Sequence, residues 1–153
     1  MSRDNLPDNL EIRSFRARDQ AAARCLILSG LQERWGHLDK TKNPDLDDIA
    51  AAYTEGLFLV AYAGERLVAT GGILAEGEGV GRIVRMSVAR DVRRRGVGRR
   101  MLQALLEAAR IRGYGKIVLE TTATWADAIA FYRREGFRPL GIRDGDMHFE
   151  KEL

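Results

Sequence analysis

The feature that most constrains the fold is a change of pattern at residue 57. From there the chain is a series of extended apolar runs, LFLVAYAG (57–64), RLVATGGILAEG (66–77) and a third over about 80–88. Ala63-Gly64-Glu65 and Gly77-Glu78-Gly79 separate them with turn chemistry, so the three runs predict an antiparallel meander. The third run leads into Arg93-Arg94-Arg95-Gly96-Val97-Gly98. A helix over 96–112 follows, with Val97, Met101, Leu102, Leu105, Leu106 and Ala109 on one stripe. Gly113 and Gly115 end it, and KIVLETT (116–122) is a short strand rich in β-branched residues. A crossover this short places that strand parallel to the one ending at Val88. The chain must therefore build an antiparallel sheet that contains a parallel pair.

The flanks add to this sheet. Residues 1–9, polar and containing Pro7, predict a loose tail. Leu10 to Arg16 alternates apolar and polar as an edge strand does. Asp19 is placed to cap a helix through AAARCLILSGLQER (21–34), interrupted near Gly30. Asp45 or Asp47 is placed to cap a second helix, ended by Gly56. ADAIAFYRREG (126–136) predicts another helix, and residues 137–153 predict a final hairpin around Asp144-Gly145. The reading is one mixed α/β domain over 10–153, with about six to seven strands and about four helices.

At 45% hydrophobic and 31% charged, the chain can bury a real core. It has no apolar run long enough to cross a membrane, and MSRDNLPDNL lacks the apolar stretch of a secretory signal. A single cysteine, Cys25, excludes an internal disulfide and predicts a reducing cytoplasm. Among Ala22, Ala23, Leu26 and Ile27 it reads as a small buried apolar residue. Two histidines and one cysteine do not make an ordinary zinc site, so no metal is expected.

Charge is uneven. Arg82 to Arg100 holds eight arginines and one aspartate, +7 within a chain of +3, which leaves −4 elsewhere. Gly96 and Gly98 let backbone N–H groups approach a bulky anion. The first amides of the helix add unpaired donors and a positive dipole end. Arg93, Arg94, Arg95 and Arg99 add charge-assisted donors. A diphosphate fits this set. A P-loop is excluded because no Gly-Lys-Ser/Thr follows, and a Rossmann fingerprint because the third glycine is missing. Nucleic acid is disfavoured: no aromatic is interleaved with the arginines, and the rest of the chain is acidic.

Arg93 to Gly98 resembles the R/Q-x-x-G-x-G/A pyrophosphate loop of the GNAT superfamily of N-acetyltransferases. Met86-Ser87-Val88 resembles the apolar lead-in to that loop. Ala128-Ile129-Ala130-Phe131-Tyr132-Arg133-Arg134-Glu135-Gly136-Phe137 resembles the family's next helix, A-I-x-h-Y-x-x-x-G-F. The resemblance implies a mostly antiparallel sheet with a splayed parallel pair in its middle. It implies acetyl-CoA as cosubstrate, its pantetheine arm along Met86, Ser87 and Val88. The diphosphate would sit at Arg93, Arg94, Arg95, Gly96, Val97, Gly98 and Arg99, with Ala128 and Phe131 beside the cofactor. Two positions depart from the pattern. Arg94 replaces a common glycine, and Trp125 replaces the usual asparagine, so Trp125 would pack over cofactor or substrate instead.

Acetyl transfer needs a neutral amine and a proton for the leaving thiolate. The resemblance implies Tyr132 as the acid. Glu120, twelve residues before Tyr132, matches the base of enzymes that acetylate ribosomal-protein N-termini; a water relay is the alternative. Glu76 and Glu78 flank a turn and read as solvated. By the same resemblance, the acceptor would meet Trp35, Gly36, His37, Leu38 and Asp39, with Arg143, Asp144, Asp146 and His148. Trp35 packed beneath its loop and a structural His148 are the plainer readings. The acceptor amine is left open among a small molecule, a peptide N-terminus and a protein lysine. A homodimer is one oligomeric option, and a non-catalytic acyl-CoA sensor is the alternative function.

Overall fold

The computed structural model describes residues 5–38 and 42–153. Seven strands form one sheet: β1 (Leu10–Ser14), β2 (Leu57–Ala63), β3 (Arg66–Gly77), β4 (Val80–Val88), β5 (Lys116–Thr122), β6 (Arg138–Arg143) and β7 (Asp146–Glu152). Their spatial order is β1-β2-β3-β4-β5-β7-β6. Among the described residues, only β4 and β5 are parallel. Four α-helices flank the sheet: α1 (Gln20–Trp35), α2 (Ile49–Ala52), α3 (Val97–Ile111) and α4 (Ala126–Arg134). The expected architecture is therefore the observed one, β1 at the edge included. Asp144 and Gly145 both take positive φ, 51° and 82°, the backbone of a two-residue hairpin turn.

The sheet has a core on each face because its strands alternate. Phe58 and Val60 of β2 pack with Ala23 and Ile27 of α1, Ile49 of α2 and Leu46. Leu59 and Ala61 point the other way, into a larger core with the α3 stripe, Ile117, Leu119, Tyr132, Phe137 and Phe149. All six stripe residues predicted for α3 are buried.

Two irregularities in β4 position the site. Its parallel pairing with β5 covers only Val80–Lys116, Gly81–Ile117 and Arg82–Val118. Beyond Arg82 the two strands part, while β5 stays paired to β7 as far as Thr122. On the other side a bulge sets Arg85 and Met86 opposite Gly71, between the pairs Thr70–Ser87 and Gly72–Val84. Arg85 takes φ 56° there, and the Thr70 hydroxyl donates to its carbonyl at 2.8 Å. Gly71 is needed at this point: a Cβ would lie 2.6 Å from Leu105 Cδ1. The bulge bends β4 away from β5.

Several local expectations are corrected. Helix α1 runs unbroken through Gly30. The second helix is a 3-10 turn, Pro44–Asp47, followed by the single turn of α2. Asp48 caps it, accepting from the Ala51 N–H at 3.1 Å. Asp45 is committed to Arg85 instead. Asp19 precedes α1, but its carboxylate caps no part of that helix. It is fully buried and accepts from Arg13 at 2.8 and 3.0 Å, the Arg16 N–H at 2.8 Å and the Tyr62 hydroxyl at 2.6 Å. Burial pushes its carboxyl up, but these donors outweigh that and bring it down to about 2. Cys25 is exposed, not buried; the buried stripe of α1 is Ala23 and Ile27, and Cys25 lies off it.

Candidate active site

The gap between β4 and β5 is the centre of the site. Past Arg82, the edge of β4 that faces β5 has no strand partner. That edge leads through a 3-10 turn, Arg90–Val92, into the arginine loop. Arg94 takes φ 63° and Gly96 φ 87°. Left-handed residues of this kind turn successive N–H groups to one side and form an anion-binding concavity. The arginine at 94 occupies a conformation that suits glycine, which accounts for the residue it replaces in the resemblance. Gly98 faces the gap: a Cβ there would lie 3.6 Å from Val88 and 3.8 Å from Phe131. Val88, Gly98 and Phe131, far apart in sequence, thus meet. Residues 83–88, the unpaired edge and the loop form a track that fits an extended arm ending in a diphosphate.

The arginines are less free than the charge count implied. Arg93 donates to Glu33 of α1 at 2.6 Å and to the Val88 carbonyl at 3.1 Å, and its charge holds the Glu33 carboxyl below its ordinary range. Arg95 donates to the Asn5 carbonyl at 2.7 Å, and Leu6 packs on the larger core. Arg99 lies 3.6 Å from Glu135. Arg94 is exposed and meets no carboxylate among the described residues. Two carboxylates from outside the segment, Glu33 and Glu135, are thus drawn onto this loop.

Helix α4 lies along the larger core. Ala128 is half-buried, and Tyr132 is buried against Phe131, Phe137 and Phe149, with ring centroids 5.1, 5.7 and 6.0 Å away. Burial raises its phenol, so the proton stays on the oxygen at neutral pH. Trp125, at the start of α4, packs against Trp35 with ring centroids 5.4 Å apart and lies beneath Arg34 at 4.4 Å. Arg34 also holds Asp127 at 2.7 Å. The end of α1 is therefore fastened to the start of α4. Trp35 and Trp125, predicted for the acceptor and the cofactor, meet one another here.

Glu120 sits on the opposite face of the sheet from Tyr132, because Leu119 beside it points into the larger core. Its carboxylate is ion-paired with Arg82. Arg82 is in turn held side-on by Glu76, two bonds of 2.8 Å. Glu76, expected to be solvated, has this partner; Glu78 is exposed. Glu120 also lines a cleft of about 400 Å³ with Asp45, Ala52, Tyr53, Leu74, Ile83, Val84 and Arg85. Arg85 donates through Nε and Nη2 to Asp45 at 3.0 and 2.6 Å, and the Tyr53 hydroxyl donates to the same carboxylate at 3.0 Å. Burial pushes the Asp45 carboxyl up, and Arg85 more than offsets it, leaving it below its ordinary range.

Of the predicted acceptor residues, His148 pairs with Glu120 across β5 and β7 but does not line the cleft. His37, Arg143 and Asp144 are exposed, Leu38 and Asp146 half-buried. Gly36 is the left-handed end of α1, and Asp39 lies outside the described residues. The sequence reading missed Asp45, Tyr53, Arg82 and Arg85. Among the described residues no group of His, Cys, Asp and Glu could hold a metal.

The arrangement matches known proteins. The family model described as "Acetyltransferase (GNAT) family" matches residues 22–137. A search of curated proteins finds no match. Among solved structures, a GNAT-family acetyltransferase from Staphylococcus aureus Mu50 superposes with TM-score 0.85 at 20% identity, covering 94% of this chain and 99% of that one. PaiA N-acetyltransferase from Thermoplasma acidophilum, in complex with coenzyme A, gives 0.83 at 14%, covering 95% and 99%. Ribosomal-protein-alanine N-acetyltransferase from Brucella melitensis gives 0.74 at 20%, covering 94% and 99%. At these identities the likeness establishes the fold. With the family model spanning most of the domain, the chain belongs to the GNAT family of acetyltransferases.

Proposed function

We propose that the chain is an acetyl-CoA-dependent N-acetyltransferase whose amine acceptor attacks directly in a ternary complex. The observation that carries this reading is the early end of the β4–β5 pairing, at Arg82 and Val118. The free edge it leaves runs on to the left-handed turn at Arg94 and Gly96. From residue 83 to 88 that edge is about 20 Å long, and an extended arm with two amides can pair along it.

Acetyl-CoA supplies the activated acyl carbon. Met86, Ser87 and Val88 offer backbone to its arm. The amides of 94–98, with Arg94, Arg95 and Arg99, hold its diphosphate. Trp125, Ala128 and Phe131 wall the cofactor side. Glu120, directly or through a water, takes the proton of the incoming ammonium. The amine nitrogen then bonds to the acyl carbon; as the carbon–sulfur bond breaks, Tyr132 gives its proton to the departing sulfur, and the surplus proton on the new amide nitrogen is lost to solvent while Tyr132 regains one from it. Arg82 pairs with Glu120 and aims it, and Glu76 fixes Arg82. Trp35, His37 and His148 stand outside the cleft and have no step in this scheme.

The test is thiol release from acetyl-CoA across a panel of amines and peptides. Tyr132→Phe should keep acetyl-CoA affinity and lower kcat by about 10²–10⁴-fold. Binding of acetyl-CoA with no release for any acceptor would make the chain a sensor. Equal kcat in the variant would remove Tyr132 from the chemistry.

A further inference from the structure

The cleft at Glu120 differs from an ordinary amine pocket. An amine acceptor needs a carboxylate to receive its proton, and Glu120 supplies one. Arg82 already aims that carboxylate; a second guanidinium in the cleft is not needed and repels the arriving ammonium. Yet Arg85 lies in the same cleft, its side chain only 20% exposed. It arrives there through a bulge that puts it in a strained left-handed conformation. Asp45 takes only the Nε–Nη2 side of the fork. The Tyr53 hydroxyl also lies against the guanidinium; among the described residues Nη1 has no carboxylate or carbonyl partner, which leaves the Nη1–Nη2 end for a second oxyanion. The remaining walls are apolar: Ala52, Leu74, Ile83 and Val84.

Resting on the acetyltransferase reading, we infer that the acceptor is a small amine that also carries a carboxylate, with the ammonium at Glu120 and the carboxylate on the open end of Arg85. A plain alkylamine would leave the guanidinium edge desolvated and unpaired. A diamine would set a second cation against it. A carboxylate satisfies it, and the apolar walls hold the carbons between. Glu120 pairs with Arg82, three residues before Arg85 on β4, so the two ends lie roughly 10 Å apart by strand rise. A volume of about 400 Å³ is at the small-molecule end of ligand sites.

The experiment compares ω-amino acids of increasing length with n-alkylamines of equal length and with their own methyl esters. The esters keep the amine in place and make it a weaker base, so intrinsic reactivity favours them at neutral pH. The expected result is a kcat/KM for the best amino acid about 10²-fold above its ester and its alkylamine. Equal kcat/KM across the three overturns the inference and leaves the acetyltransferase reading standing. No turnover of any amine, with acetyl-CoA bound, overturns that reading instead. Asp45→Asn with Arg85→Met removes the cation together with its partner charge. In that variant, KM for the amino acid should rise about 10²-fold with kcat nearly unchanged, while the ester is unaffected. A merely structural role for Arg85 would impair both acceptors equally. A thermal shift on adding acetyl-CoA checks that the variant is folded; if it is not, the wild-type comparison alone decides.

Discussion

Two arginine–aspartate–tyrosine triads sit in this domain, and they differ in one geometric detail. Arg13, Asp19 and Tyr62 form the first; Arg85, Asp45 and Tyr53 form the second. Arg13 meets its carboxylate end-on through both terminal nitrogens, and Nη1 also reaches the Ser14 carbonyl at 3.1 Å. Arg85 meets its carboxylate side-on. Asp19 is sealed, with a backbone N–H as a further donor. Asp45 opens on a cleft. The same three residue types thus make a closed joint in one place and an open anion holder in the other. What separates them is which edge of the guanidinium the protein uses up.

The largest effect that separates the triads is on stability. Asp19→Asn leaves the guanidinium of Arg13 uncompensated, with its side chain 15% exposed. The expected loss is about 3 kcal/mol in denaturant unfolding, with kcat/KM of the folded fraction unchanged. A loss below about 1 kcal/mol would mean the two triads are alike, both surface pairs. A second measurement follows from the titration. The Asp19 carboxyl is lowered in the fold to about 2, against about 3.9 in the unfolded chain. Its contribution is therefore complete above about pH 4 and is lost as the pH falls through about 2. It amounts to about 2–3 kcal/mol. Acid unfolding of the wild type should show this dependence, and Asp19→Asn should flatten it. An unchanged slope would return the acid sensitivity to other carboxylates.

Most of the architecture was legible because it rests on period and punctuation. The meander, the α3 stripe and the Asp144-Gly145 hairpin each follow from residues within a few positions. Of the proposed site, Gly96, Gly98 and Tyr132 were named from local pattern alone; the structure adds the left-handed backbone at Gly96 and the burial of Tyr132. Arg82 and Arg85 were not legible, for a physical reason. Three residues apart on a strand, they belong on opposite faces by the period of two. The bulge opposite Gly71 inserts one residue and brings both to the face that carries Glu120. Nothing in the local sequence announces that insertion; it lies opposite Gly71, where a side chain would collide with Leu105 and Met86. Charge was misleading in the same way. The +7 segment drew its carboxylates from Glu33, Asp45, Glu76, Glu120 and Glu135, partners that only the fold supplies.

The finest contrast is between the two tyrosines. Each hydroxyl donates to its aspartate, Tyr62 at 2.6 Å and Tyr53 at 3.0 Å. Tyr62→Phe deletes one of several donors to a carboxylate that has no access to water, so the deficit cannot be made up from solvent. A loss of about 1–2 kcal/mol is expected, without effect on the acceptor KM. Tyr53→Phe deletes a donor to a carboxylate on an open cleft, where water can replace it, so the loss in stability should stay below about 1 kcal/mol. The hydroxyl, however, helps hold Asp45 against Arg85, and Arg85 depends on Asp45 to point its open edge along the cleft. Tyr53→Phe should therefore raise the KM for a carboxylate-bearing amine several-fold and leave its ester unchanged. If the two variants instead lose the same stability and neither moves KM, Asp45 and Arg85 are a second structural joint, and the distinction between closed and open triads is gone.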